Sequence, residues 1–144
     1  MGVAKRETRS FTARFDVVVL ERLRERSERV GQSNARLAER LIDEGLRMEE
    51  FPGIVFRSGP AGRRAGLVGG PDVWEVVVDL KGAATERASD PVRAVAEGLS
   101  LSEEQVQLAA AYYDAYRDEI DELIRENEEM ALRVRRALDG SAAA

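Results

Sequence analysis

A chain of 144 residues has room for one ordinary domain or two small ones, which excludes long enzyme folds such as barrels. The sequence has neither cysteine nor histidine, so it lacks thiolate ligands, disulfides and the commonest general base, and we expect no cofactor or metal. The net charge of −5 is unevenly spread, because residues 1–50 hold 11 basic and 10 acidic side chains while residues 51–144 hold 11 and 17. No apolar run approaches the roughly 20 residues of a membrane helix and no signal-peptide pattern is present, so we expect a cytoplasmic protein without membrane contact.

Residues 10–15 alternate polar and apolar side chains, which is the period of a β-strand. The apolar face of this strand holds Phe11, Ala13 and Phe15, and the polar face holds Ser10, Thr12 and Arg14. A plain edge strand with a solvated polar face is the simplest interpretation of such a pattern. No second strand is predicted nearby, which disfavours it.

Two helices are predicted directly after the strand. Asp16 stands at an N-cap position and Gly31 supplies a left-handed stop, so the first helix lies between them. Ser33 caps a second helix that runs to about Glu49 and ends before Pro52. The apolar stripes of the two helices include Leu23, Leu37 and Leu41.

One strand and two short helices cannot bury these apolar side chains alone. Pairing with the same strand of a second copy produces an antiparallel two-stranded ribbon on a base of four helices. The predicted core of this homodimer consists of Phe11, Ala13, Phe15, Leu23, Leu37 and Leu41. The polar strand face then points outward on a ribbon whose width fits the major groove of DNA, where arginine can read guanine.

Residues 9–46 resemble the ribbon-helix-helix repressors of the MetJ/Arc and CopG type, in the run RSFTARFDVVVLERLRERSERVGQSNARLAERLIDEGL. In that family the outward strand side chains read bases, and amides at the start of the second helix hold a phosphate. The resemblance implies base contacts by Ser10, Thr12 and Arg14. It implies a phosphate contact at Ser33 and Asn34.

Three basic residues, Lys5, Arg6 and Arg9, precede the strand. Within the first 15 residues the basic side chains number 4 against 1 acidic side chain. We expect them to form an arm that contacts DNA phosphates, and a solvated tail is the equally weighted alternative.

Residues 1–50 are predicted to form the ribbon-helix-helix domain that binds DNA and dimerises. Residues 51–139 are predicted to form a second, small domain, and residues 140–144 a tail, so the chain as a whole is mainly α with a small β component (α+β). Glycines and prolines punctuate the start of this domain. Two short apolar runs, residues 54–56 and 65–68, are predicted to pair as a hairpin across a turn at residues 59–62.

Helix-start signals mark the rest of the domain. Asp72 caps a helix through Leu80, and residues 81–90 are predicted to be a loop. Further helices are predicted to begin at Asp90-Pro91 and at Ser102, which forms a capping box with Gln105. The predicted core of these helices includes Trp74, Val106, Ala109, Ala110, Tyr113 and Tyr116.

The last helix is predicted from about Asp118. In heptad notation, positions a hold Ile120, Asn127 and Val134, and positions d hold Leu123, Met130 and Ala137. Two interpretations stay open: the helix lies on its own domain, or it docks on a partner protein. For docking, the predicted contact residues are Ile120, Leu123, Asn127, Met130 and Val134.

The second part resembles a family of small prokaryotic antitoxin-like domains, of the VapB type, that accompany toxins with a PIN-like nuclease fold. The likeness lies in the runs PGIVFRSGPAGRRAGLVGGPDVWEVV and GLSLSEEQVQLAAAYYDAYRDEIDELIRENE. The resemblance implies that this domain binds a toxin protein.

These features predict the antitoxin of a type II toxin-antitoxin system, which represses its own operon by binding operator DNA as a dimer and blocks a PIN-like nuclease. Residues 99–132 hold 10 acidic and 2 basic side chains, and such a helix suits the basic groove of an RNA-binding nuclease. The alternative is a stand-alone ribbon-helix-helix transcription regulator whose second domain senses a ligand or extends the dimer. Catalytic activity would have to depend on adjacent acidic residues such as Glu103 and Glu104. Adjacent side chains point in different directions on a helix, so we predict no catalysis. Assembly beyond the dimer stays open.

Overall fold

The computed structural model describes residues 6–142, which form six helices and one two-stranded antiparallel sheet. The prediction of a mainly helical chain with a small β component is therefore confirmed. The chain divides into two compact units, Met1–Asp43 and Glu44–Ala144. Lys5, which is predicted to contact DNA phosphates, lies outside the described residues.

The first unit contains helix α1, Val17–Val30, and the beginning of helix α2, Asn34–Glu50. The Asp16 carboxylate caps α1 by accepting a hydrogen bond from the Val18 amide at 2.7 Å. Gly31 ends α1 in the left-handed conformation, with φ of +66°, where a residue without Cβ is favoured. The Ser33 hydroxyl accepts from the Arg36 amide at 3.2 Å at the start of α2. Both predicted helices are therefore confirmed with their caps.

The strand predicted at residues 10–15 does not form in the single chain, where residues 6–16 have no regular secondary structure. A strand requires a neighbouring backbone for its hydrogen bonds, and the two strands in the described residues pair with each other. The ribbon, which needs a second copy, stays a prediction.

The second unit begins with the last residues of α2 and the predicted hairpin. Strand β1, Ile54–Gly59, pairs antiparallel with strand β2, Gly62–Leu67, from Ile54 opposite Leu67 to Gly59 opposite Gly62. Both strands are longer than the apolar runs that predicted them.

Four helices complete the second unit: α3 Val73–Thr85, α4 Pro91–Leu99, α5 Glu103–Ala115 and α6 Arg117–Ala142. The predicted caps Asp90 and Ser102 are confirmed, and Asp72 forms a capping box with Glu75. The prediction of a loop over residues 81–90 is wrong for residues 81–85, which continue α3. The predicted tail also begins too early, because α6 continues to Ala142. Both errors fall on alanine-containing stretches, which have high helix propensity.

The core of the second unit is built from side chains of all four helices, α3 to α6, and from the hairpin, and most of these side chains are aliphatic. Val106 and Ala109 are buried as predicted, whereas Trp74, Ala110, Tyr113 and Tyr116 are partly buried. Tyr112, which was not assigned to the stripe, is completely buried. Among the described residues, no helix combines the length and the apolar character that are needed to cross a membrane.

Candidate functional site

An apolar groove lies between α1 and α2 in the first unit, with a volume of about 590 Å³. Its apolar lining consists of Phe15, Val19, Leu20, Leu23, Ala38, Leu41 and Ile42. About half of the surface of Phe15, Leu41 and Ile42 is exposed. Large exposed apolar patches on proteins are often sites where a partner or ligand binds.

The six residues predicted for the dimer core divide into two groups. Leu37 is completely buried and Leu23 is half-buried in the single chain. Phe11, which is 85% exposed, lies open together with Ala13, Phe15 and Leu41. These four side chains are available to a second copy of the chain.

The described polar residues among those predicted to contact DNA are exposed. Ser10, Thr12 and Arg14 lie in the segment before α1. Arg6 pairs with Glu39 at 3.0 Å, and Arg9 pairs with Glu7 at 2.9 Å. Such exposed pairs contribute about 0–1 kcal/mol, so either arginine can exchange its carboxylate for a phosphate at little cost.

The start of α2 has the electrostatic character of an anion site. The first amides of a helix lack intrahelical partners and carry the positive end of the helix dipole. The first turn of α2 contains no acidic side chain, and Ser33, Asn34 and Arg36 are all exposed there. The residues predicted to hold a phosphate are therefore accessible.

Two arginines of the hairpin are engaged within the second unit. Arg57 donates to the Asp72 carboxylate at 3.1 Å and to the Gly70 carbonyl at 2.9 Å, and Arg64 donates to the other oxygen of Asp72. Asp72 itself is buried. The cluster therefore fixes the hairpin to the start of α3.

The end of α2 is held by two further polar contacts inside the second unit. Glu44, which is buried, accepts two hydrogen bonds from Arg63 at 2.8 and 2.7 Å, and this contact raises the pKa of the Arg63 guanidinium. Arg47 donates to the Tyr112 hydroxyl at 2.9 Å and to Glu119 at 3.0 Å. Burial raises the pKa of Tyr112 well above its ordinary value. Sequence patterns did not reveal these pairs.

The last helix has one face with two environments. Ile120 and Leu123 both belong to the hydrophobic core. Ile120 is completely buried, which corrects its prediction as a partner contact, whereas Leu123 is 9% exposed and lines a groove beside the helix. Asn127 is half-buried and donates to the Leu123 carbonyl at 2.8 Å. Met130 is 57% exposed and Val134 is 51% exposed. The accessible part of the predicted contact surface therefore consists of Asn127, Met130 and Val134.

A groove of about 710 Å³ runs beside this helix, between it, the hairpin turn and the start of α3. Its apolar lining includes Pro60, Ala61, Trp74, Leu123 and Met130. Charged side chains of both signs surround the apolar floor. The groove is continuous with the exposed face of α6 at Met130.

No protein-family model, curated protein or solved structure matches the chain. The two family resemblances therefore stay predictions, supported by the residues that carry them.

Proposed function

We propose that the chain is a homodimeric DNA-binding protein of the ribbon-helix-helix kind, which binds operator DNA and represses its own operon as the antitoxin of a type II toxin-antitoxin system. The observation that carries the first half is the uncovered apolar surface of Phe11, Phe15 and Leu41 next to two well-capped helices. A second copy buries this surface and supplies the strand that residues 10–15 lack.

Dimerisation places two copies of the outward strand face side by side. Arg14 then forms bidentate hydrogen bonds to guanine, while Ser10 and Thr12 contact base edges beside it. The start of α2 and the arginines of the arm hold phosphates on either side. Twofold symmetry doubles each contact, which compensates for a ribbon that is only mildly basic.

The second unit supports the antitoxin role through its charge. The acidic excess of residues 99–132 opposes DNA and complements a basic RNA-binding groove. Met130 and Val134 form the apolar contact with the toxin, and the polar Asn127 lies beside them. The alternative function, a stand-alone regulator, differs from the antitoxin because it has no toxin partner. In that case the second domain extends the dimer or senses a ligand.

A gel-shift titration with DNA from upstream of the gene tests the DNA-binding half. Arg14→Ala is expected to weaken specific binding by about 1–3 kcal/mol for each bidentate contact that is lost. Arg93→Ala removes an exposed arginine of α4 and serves as the matched control, with unchanged affinity expected. Equal affinities of the wild type and Arg14→Ala would remove Arg14 from the reading face.

Coexpression with the product of the adjacent gene tests the antitoxin half. We expect copurification of the two proteins and rescue of growth, and Val134→Glu should weaken both. Leu132→Glu changes another exposed aliphatic residue of α6 and is the control. A neighbouring gene product that neither slows growth nor copurifies would contradict the antitoxin role and favour the stand-alone regulator.

A further inference from the structure

The exposed face of α6 continues the face that packs on the core. Ile120 and Leu123 are buried near its beginning, and the same helical face carries Met130, Val134 and Leu138 two to four turns later. These last three side chains are more than half exposed. An apolar stripe with this spacing is typical of a helix that packs against another helix.

The spacing of the stripe fits an antiparallel pair of identical helices. In such a pair, a positions pack against d positions of the partner helix. When Met130 lies opposite Val134 of a second copy, Asn127 lies opposite Ala137 of that copy. The twofold symmetry of the pair repeats both contacts with the roles of the two helices exchanged. Ala131 and Ala137 are small and exposed, so the helices can approach closely.

The charges of α6 favour the antiparallel orientation over the parallel one. Residues 117–129 hold 7 acidic and 2 basic side chains, whereas residues 130–142 hold 1 and 3. In the alignment above, Glu128 and Glu129 lie at the level of Arg136 and Arg135 of the second copy. A parallel pair would place acidic segments beside each other, which costs free energy at separations within the Debye length of about 8–10 Å.

The groove beside α6 accommodates the end of the second helix. An antiparallel partner that begins opposite Met130 continues toward Leu123, along the apolar floor formed by Trp74, Pro60 and Ala61. Its last turns carry the small residues Ala137, Ser141 and Ala142.

We propose that α6 pairs antiparallel with α6 of a second copy of this chain, and that the end of each helix lies in the groove beside the other. This pairing needs neither DNA nor toxin, so it goes beyond the proposed function. It covers Met130 and Val134 in the free protein, and a toxin that uses these residues must compete with it.

Engineered cysteines provide the test, because the chain contains none of its own. Two single-cysteine proteins, Met130→Cys and Val134→Cys, are mixed without DNA or any other protein and gently oxidised. The mixed disulfide should form at least about tenfold faster than the Met130→Cys homodisulfide, since paired thiols share an effective concentration near the millimolar range. Far-UV circular dichroism verifies that each variant is folded.

Leu132→Cys is the matched control, because Leu132 is exposed but lies outside the stripe. Mixed with Val134→Cys, it should cross-link no faster than random collision. A faster Met130→Cys homodisulfide would indicate a parallel pair and overturn the proposal. A mixed disulfide of Met130→Cys and Val134→Cys that forms no faster than the Leu132→Cys control would also overturn it and leave the stripe to another protein.

This result is separable from the proposed function. Operator binding depends on Arg14 and the first unit, so a failed cross-link with intact operator binding refutes only the pairing of α6. A positive cross-link without operator binding refutes only the DNA-binding role.

Discussion

The pair between Glu44 and Arg63 is the contact whose loss should destabilise the second unit most clearly. The Nε and Nη2 atoms of Arg63 both donate to the Glu44 carboxylate, and the Glu44 side chain is only 10% exposed. Glu44→Gln keeps the shape of the side chain but removes its charge and one of its two acceptor oxygens. Arg63 then lies partly buried without its counter-ion.

The expected cost follows from the burial of the two partners. Breaking a fully buried ion pair costs about 3–5 kcal/mol. The Arg63 side chain remains 33% exposed, so water recovers part of this loss, and we expect about 2–3 kcal/mol. For a unit of this size the melting temperature should fall by about 10–20 °C.

Urea denaturation followed by tryptophan fluorescence provides the assay. Trp74 is the single tryptophan of the chain and lies in the second unit, so its emission reports on that unit. Glu49→Gln, at an exposed position of α2, is the control and should change the free energy of unfolding by less than about 0.5 kcal/mol. A Glu44→Gln variant as stable as this control would refute the argument that the pair fixes the end of α2.

Three further predictions concern caps and pH. Asp16→Ala removes the N-cap of α1 and should lower the free energy of unfolding of the first unit by about 1 kcal/mol in thermal denaturation monitored by circular dichroism, whereas an unchanged melting curve would contradict the cap. Gly31→Ala places a Cβ at φ of +66° and should cost about 1–2 kcal/mol in the same experiment, with no loss if the helix ends elsewhere. Hydrogen bonds from Tyr113 and Lys81 lower the pKa of the Asp121 carboxyl in the folded protein. The stability that these bonds contribute is therefore present above the pKa that Asp121 has in the unfolded chain. It is lost as the pH falls through the lower pKa of the folded state. Tyr113→Phe should therefore raise the pKa of Asp121 in an NMR titration and weaken the acid dependence of stability below about pH 4, and an unmoved pKa would contradict this cause.

Local signals were sufficient to predict most of the helices. Asp16, Gly31, Ser33 and Ser102 act through contacts within four residues, so their role can be read from neighbouring sequence. The hairpin was predicted on the same basis, from turn residues between two apolar runs. The loop predicted at 81–90 failed because small residues were interpreted as irregular, although alanine favours a helix.

Contacts between distant residues could not be predicted in this way. Glu44 and Arg63 are 19 residues apart, and Arg47 and Tyr112 are 65 apart, so no periodic pattern connects them. The prediction that Ile120 binds a partner failed for a related reason, since a stripe does not reveal which of its turns the domain itself covers. The strand at residues 10–15 depends on a second chain, which a single chain cannot supply.

Hydrogen exchange at the amides of residues 10–15 tests the central claim most directly, because these residues are exposed and irregular in the single chain. The ribbon predicts alternating protection of these amides that increases with protein concentration and is lost in Phe15→Asp, which places a charge in the dimer core. Exchange at the rate of an unstructured peptide at every concentration would contradict the ribbon and, with it, the DNA-binding dimer.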